Sequence, residues 1–107
     1  MKYTLQFFPE FEQDIMTAYI WYESKSVGLG EEFLRIFYAC VIEIRLNPLR
    51  YMKVYSKFRR CLLRRFPYAI YFIIKEDSII VFGLFHCARD PRTIGMRLQD
   101  RADSERT

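Results

Sequence analysis

Glycine is scarce in this chain, with four among 107 residues, and there is a single histidine. So few glycines leave no Gly-rich phosphate loop and no G-x-S-x-G elbow, and His86 alone supports neither an H-E-x-x-H helix nor a clustered metal-ligand set. No apolar run reaches the roughly 18 to 20 residues that span a bilayer. The longest, residues 66–74, is interrupted by Pro67. The N-terminal MKYTLQFFPEFEQD turns acidic early and lacks a signal-peptide h-region and a small-residue cleavage site. Cysteine is limited to Cys40, Cys61 and Cys87, an odd number without metal-ligand spacing, which reads as buried reduced thiols packed as small hydrophobes. These absences point to a cytoplasmic protein with no cofactor, no metal and no membrane span.

Aromatic residues, by contrast, are abundant. Ten Phe and eight Tyr contribute to a chain that is 51% hydrophobic, on the rich side for a soluble domain. A single domain over residues 1–107 of this size hides roughly 65% of the surface its unfolded chain exposes. Some rings are therefore expected at the surface, where large apolar patches mark partner sites. Charge is divided unevenly: residues 1–49 carry a net −3 and the remainder a net +7. An anionic partner belongs against the second half, against the plainer alternative of a scattered, solvated basic face.

YTLQF, residues 3–7, alternates as a short strand. Pro9 then suits the first position of a helix whose early turns hold Glu10, Glu12 and Asp14, complementing the helix dipole. Phe11, Ile15, Ala18 and Tyr22 recur at helical spacing. A second helix is predicted after GLG, residues 28–30, with Phe33, Phe37, Cys40, Val41 and Ile44 as its buried stripe and Asn47–Pro48 as its stop. The short connection makes an antiparallel helix hairpin, with Trp21 and Tyr38 expected in core or hairpin packing. From Arg59 the period becomes strand-like: RRCLLRRF, PYAIYFII and SIIVFGLFHC read as three strands, with KED as the turn between the last two. The fold class is α+β: an N-terminal strand, a helix hairpin, then a mainly antiparallel sheet of three to four strands packed on the helices. Residues 69–74 are apolar on both strand faces, so the hairpin covers one face and the other lacks an obvious cover. A charged tail from about residue 99 is expected to fray.

The second half also holds a basic cluster: Lys53, Lys57, Arg59, Arg60, Arg64, Arg65, Arg89, Arg92 and Arg97. Strand boundaries can gather these along one sheet rim, where guanidinium groups bind phosphate or carboxylate bidentately. Tyr51, Tyr55, Tyr68 and Tyr71 are near enough in sequence for stacking with bases. Arg64 and Arg65, if both in a strand, point to opposite faces. His86 is either a hydrogen-bonded strand-end residue or a general acid–base beside arginines that stabilise a phosphorane-like transition state.

The segments WYE, GLGEEF, NP, RRFPYAIYF and FHCARDPR, in this order, resemble the RelE/ParE superfamily of bacterial type II toxin–antitoxin toxins, closest to its ParE-like branch. The resemblance runs from about Tyr3 to Arg97. It implies a strand, a helix hairpin and an antiparallel sheet. It also implies hetero-oligomerisation with a cognate antitoxin whose acidic, initially flexible segment folds over the toxin, with Tyr68, Ile70, Tyr71 and Phe72 as the antitoxin-binding residues. Target binding would fall to Arg60, Arg64, Arg65, Arg89 and Arg92. RelE-like members cleave messenger RNA on the ribosome without a metal, which would make Arg65, His86 and Arg89 catalytic here. ParE-like members inhibit DNA gyrase and lack that catalytic set. The stretch DPRTIGMRLQ after Arg89 has no tyrosine, histidine or lysine, a departure that favours the gyrase reading over the endoribonuclease reading. A degenerate toxin fold kept only for binding an antitoxin is the third possibility; it would need the apolar face but not the arginines.

Overall fold

The computed structural model describes residues 2–105, Glu105 by its backbone alone. In chain order it comprises β1 (Thr4–Phe7), α1 (Phe11–Lys25), α2 (Leu29–Leu46), a 3-10 turn (Pro48–Arg50), β2 (Lys53–Tyr55), β3 (Phe58–Leu62), β4 (Tyr68–Lys75), β5 (Ser78–His86) and α3 (Pro91–Glu105). The sheet order is β1-β5-β4-β3-β2. β1 runs parallel to β5, and the other neighbours are antiparallel. The α+β class, N-terminal strand, helix hairpin and mainly antiparallel sheet are as expected, with one strand, β2, and one helix, α3, in addition.

The hairpin covers one face of the sheet. Phe11, Ala18 and Tyr22 of α1 and Phe33, Phe37, Cys40, Val41 and Ile44 of α2 are buried against Ile70, Phe72, Ile79, Val81 and Leu84. Each large apolar side chain so buried contributes about 1.5–3 kcal/mol. Trp21 and Tyr38, expected in this packing, are instead more than half exposed, because each lies next to the buried stripe of its helix and turns outward.

The opposite face is not bare. Ile94, Leu98 and Ala102, spaced by one helical turn along α3, bury Ala69, Tyr71, Ile73, Ile80, Phe82 and Phe85 in a second core. This corrects two expectations. The spare apolar face is covered from within the chain, and the tail expected to fray from about residue 99 is helical through Glu105, with Arg101 and Ala102 buried. The last two residues of that tail lie outside the described residues.

The register of β4 against β5 shifts by one residue: Tyr71 faces Gly83 and Phe72 faces Val81. Phe82 is thus left without a partner in β4, forming a bulge. Its carbonyl accepts from Arg101 Nη1 at 2.6 Å, and the Leu84 N–H donates to Asp14 at 3.2 Å. The bulge is where α1, α3 and the sheet are tied together.

One cysteine departs from expectation: Cys87 is free and exposed rather than buried. Cys40 of α2 and Cys61 of β3 are buried, as expected, with their sulfurs brought together and their Cα atoms 7.1 Å apart. They sit at facing positions of the helix–sheet core, a juxtaposition their separation of 21 residues does not disclose. Among the described residues no helix is long and apolar enough to cross a membrane.

Candidate functional site

The expected target-binding arginines divide into two groups. β3 ends at Leu62, so Arg64 and Arg65 do not occupy a strand and do not point to opposite faces of one. Arg65 takes a left-handed backbone conformation at φ 69°, rare for a residue with a Cβ. Both side chains turn to α2: Arg64 lies 3.6 Å from Glu43, and Arg65 pairs with Glu32. Arg92 sits 3.5 Å from Asp90 at the start of α3. These charges are partly neutralised within the chain.

Arg60 and Arg89 remain. Among the described residues neither side chain has a carboxylate partner, and both line one groove of about 140 Å³. Arg60 follows Phe58 by two residues along β3, and so shares the face turned towards α3; in register it stands opposite Tyr71 of β4. Arg89 leaves the end of β5 through a turn in which its N–H donates to the His86 carbonyl at 3.0 Å. Its guanidinium lies 5.6 Å from the Phe85 ring centroid, a cation–π contact. Val54 and Tyr55 of β2, Cys87, and Pro91 and Ile94 of α3 complete the walls.

Gly95 makes this construction possible. A Cβ there would lie 2.8 Å from the Tyr55 ring, so the missing side chain is the space into which Tyr55 packs. That contact fixes the short edge strand β2 against α3. Gly95 and Cys87 were not read from the sequence as site residues, and Tyr55 was read there only as a ring for stacking with bases; a glycine inside a charged helix was the available signal.

His86 belongs to the other side of the sheet. Its ring stands edge-on to Tyr68 at 5.1 Å, and both line an aromatic slot of about 470 Å³ with Thr17, Trp21, Tyr22 and Pro67. Burial pushes the Tyr68 phenol above its ordinary pKa, while Arg89 pulls it the other way. The Ala88 N–H donates to His86 Nδ1 at 3.0 Å. Arg65 is paired with Glu32, whereas His86 stands against Tyr68 and Arg89, over Phe85, also acts on Tyr68 through its charge.

The expected antitoxin-binding residues need correction as well. Ile70 and Phe72 are fully buried under the helix hairpin, Tyr71 is buried under α3, and only Tyr68 reaches the surface in part. Large exposed apolar side chains include Tyr38, Ile42 and Leu46, spaced by four along α2, with Leu49 and Met52 following in the chain.

No protein-family model matches the sequence, and no curated protein matches it. Among solved structures, a chain of the chromosomal ParDE toxin–antitoxin system from P. aeruginosa is similar, with a TM-score of 0.69 and 14% sequence identity over 79% of this chain and 96% of that one. The chain shares the fold of that ParDE-system chain, with its own N-terminal strand, helix hairpin and five-stranded mixed sheet.

Proposed function

We propose that this protein is the toxin of a type II toxin–antitoxin pair, of the ParE-like kind, arresting growth by inhibiting DNA gyrase and held in check by a cognate antitoxin. The observation that carries the reading is the likeness to a chain of the ParDE system over nearly that chain's whole length. The pairing of Arg65 with Glu32, which occupies one of the three expected nuclease residues, favours gyrase over messenger RNA as the target. A metal-free nuclease needs its acid–base and its transition-state cations around one scissile phosphate. The antitoxin's place is the exposed apolar run from Tyr38 to Met52, which with Arg35, Arg45, Arg50 and Lys53 near it in sequence suits an acidic amphipathic segment.

Inducible expression in bacteria tests this, with growth, plasmid supercoiling and total translation followed in one culture. The expected outcome is arrest with early loss of supercoiling while translation continues. Early cleavage of ribosome-bound messages with supercoiling intact would establish the nuclease instead. Undisturbed growth with soluble, folded protein would leave only the binding module.

A further inference from the structure

Resting on the toxin reading for its biological setting, we infer that the Arg60–Arg89 groove is the target-recognition point, and that it takes a carboxylate side chain from an acidic protein segment with apolar flanks. Three observations carry this. First, Arg60 and Arg89 are the two expected target-binding arginines without a carboxylate of their own among the described residues, whereas Arg64, Arg65 and Arg92 lie beside Glu43, Glu32 and Asp90. Two unpaired guanidinium groups on one small groove form a receptor for a single anionic group, and the planar fork suits carboxylate.

Second, the groove is apolar apart from those charges. Val54, Pro91 and Ile94 line it. Beside it lies Leu62, on the same strand face as Arg60 and more than half exposed. Arginine and tyrosine around an aliphatic centre is the composition of a protein–protein interface core.

Third, of the two rings that line the groove Tyr71 is buried, and Tyr55, 41% exposed, has one face taken by Phe58. Tyr55 stacks on Phe58 with centroids 6.2 Å apart and also packs on Gly95. Tyr71 is buried, with its ring 5.9 Å from that of Phe85. Single-stranded nucleic acid binding depends on ring faces open to bases and on cations tracking successive phosphates. This groove offers one anion-sized position between aliphatic walls.

The test measures fluorescence anisotropy of the purified full chain with three fluorescein-labelled probes: an alternating glutamate–leucine dodecapeptide, its glutamine–leucine counterpart, and a single-stranded RNA dodecamer. The variants are Arg60→Gln/Arg89→Gln and, as a control of equal charge change, Arg64→Gln/Arg65→Gln, each checked for folding by circular dichroism. The expected result is that the glutamate peptide binds, the glutamine peptide does not, and Arg60→Gln/Arg89→Gln weakens binding by about tenfold or more, as loss of charged hydrogen bonds predicts, while the control stays near wild type. RNA binding that is tighter than peptide binding and lost in Arg60→Gln/Arg89→Gln would overturn the proposal in favour of nucleic acid. Equal losses in both variants would overturn it in favour of diffuse charge attraction, and no glutamate-peptide binding, or binding unchanged in Arg60→Gln/Arg89→Gln, would overturn it outright. Growth assays with the same variants separate the two readings. Arrest that survives Arg60→Gln/Arg89→Gln removes the groove from the toxin's action and leaves the toxin reading intact. Peptide binding lost in that variant, from a wild type that never arrests growth, removes the toxin reading and leaves the groove's chemistry standing.

Discussion

Arg101 of α3 and Asp14 of α1 are joined by two parallel hydrogen bonds, Nη1 to Oδ2 at 2.8 Å and Nη2 to Oδ1 at 3.1 Å. The Arg101 side chain is only 10% exposed and that of Asp14 15%. The same pair serves the β5 bulge, through the Phe82 carbonyl and the Leu84 N–H, and Arg101 lies over the rings of Phe8 and Phe85. Gly83 leaves room for it, since a Cβ there would stand 3.0 Å from Arg101 Nη1. An otherwise polar helix is thus anchored on the sheet by one charged residue and three apolar ones.

Breaking that pair from either side should therefore be costly. Arg101→Met leaves the part-buried Asp14 without its cation, and Asp14→Asn leaves Arg101 with only Glu10, 3.9 Å from Nε, as an acidic neighbour. Each is expected to lower unfolding stability by about 3–5 kcal/mol, read from urea denaturation. The double variant should lose less than the sum of the two, with a coupling of about 0.5–3 kcal/mol. Additive losses would mean that the two side chains act independently.

Gly95 invites the opposite kind of test. Alanine inside a helix normally stabilises over glycine by about 1 kcal/mol, but at this position the added Cβ would displace the Tyr55 ring. Gly95→Ala is expected to give no gain in the wild-type background and a gain of about 1 kcal/mol when Tyr55 is already alanine. A gain of equal size in both backgrounds would show that Tyr55 is not seated on α3.

These two contacts also mark the limit of what the sequence disclosed. The stripes Phe11–Ala18–Tyr22 and Phe33–Phe37–Val41–Ile44 are strong helical signals, and β4 and β5 are dense enough in β-branched and aromatic residues to be read directly. α3 offered only Ile94, Met96 and Leu98 as large apolar residues among charges, with a glycine between the first two. Its stability lies in tertiary contacts with a face already apolar, which periodicity does not register. β2 has no buried residue at all. The basic rim was legible as a cluster, but its division was not. That depends on the left-handed turn at Arg65 and on the register placing Arg60 opposite Tyr71.

The cysteines can be counted chemically. Protein purified in air and unfolded without reductant is expected to titrate one thiol, Cys87, and three after reduction. In the native state Cys87 should react at once, because it is exposed beside the groove. Three thiols without reductant would show that Cys40 and Cys61 pack as separate thiols in the core.

High pH should weaken the fold. Burial raises the phenol pKa of Tyr22, Tyr51 and Tyr68 above the ordinary 10.0. Above that value the unfolded chain loses these protons while the folded chain retains them, so stability falls as pH climbs through the window between the unfolded and folded values. Thermal unfolding followed from about pH 8 to about pH 11 should show Tm dropping above pH 10, with a shallower drop in Tyr68→Phe. An identical slope in that variant would remove Tyr68 from the effect.

Tyr38, Ile42 and Leu46 succeed one another at a spacing of four along α2, and Leu49 and Met52 follow them in the chain, with exposures from 57% to 77%. None of these side chains belongs to either core, so the row can be altered without unfolding the domain. Ile42→Glu should change stability by no more than about 0.5 kcal/mol. It should also abolish concentration-dependent self-association of the protein alone, because an apolar row this long is what an uncovered partner surface exposes to its own copies. On the proposed toxin reading, the same variant is expected in cells to arrest growth even when a cognate antitoxin is co-expressed, since a buried glutamate would face an acidic partner while the Arg60–Arg89 groove on the α3 side is untouched. Retained neutralisation would move the antitoxin's place away from α2 and leave the row as a self-association surface only.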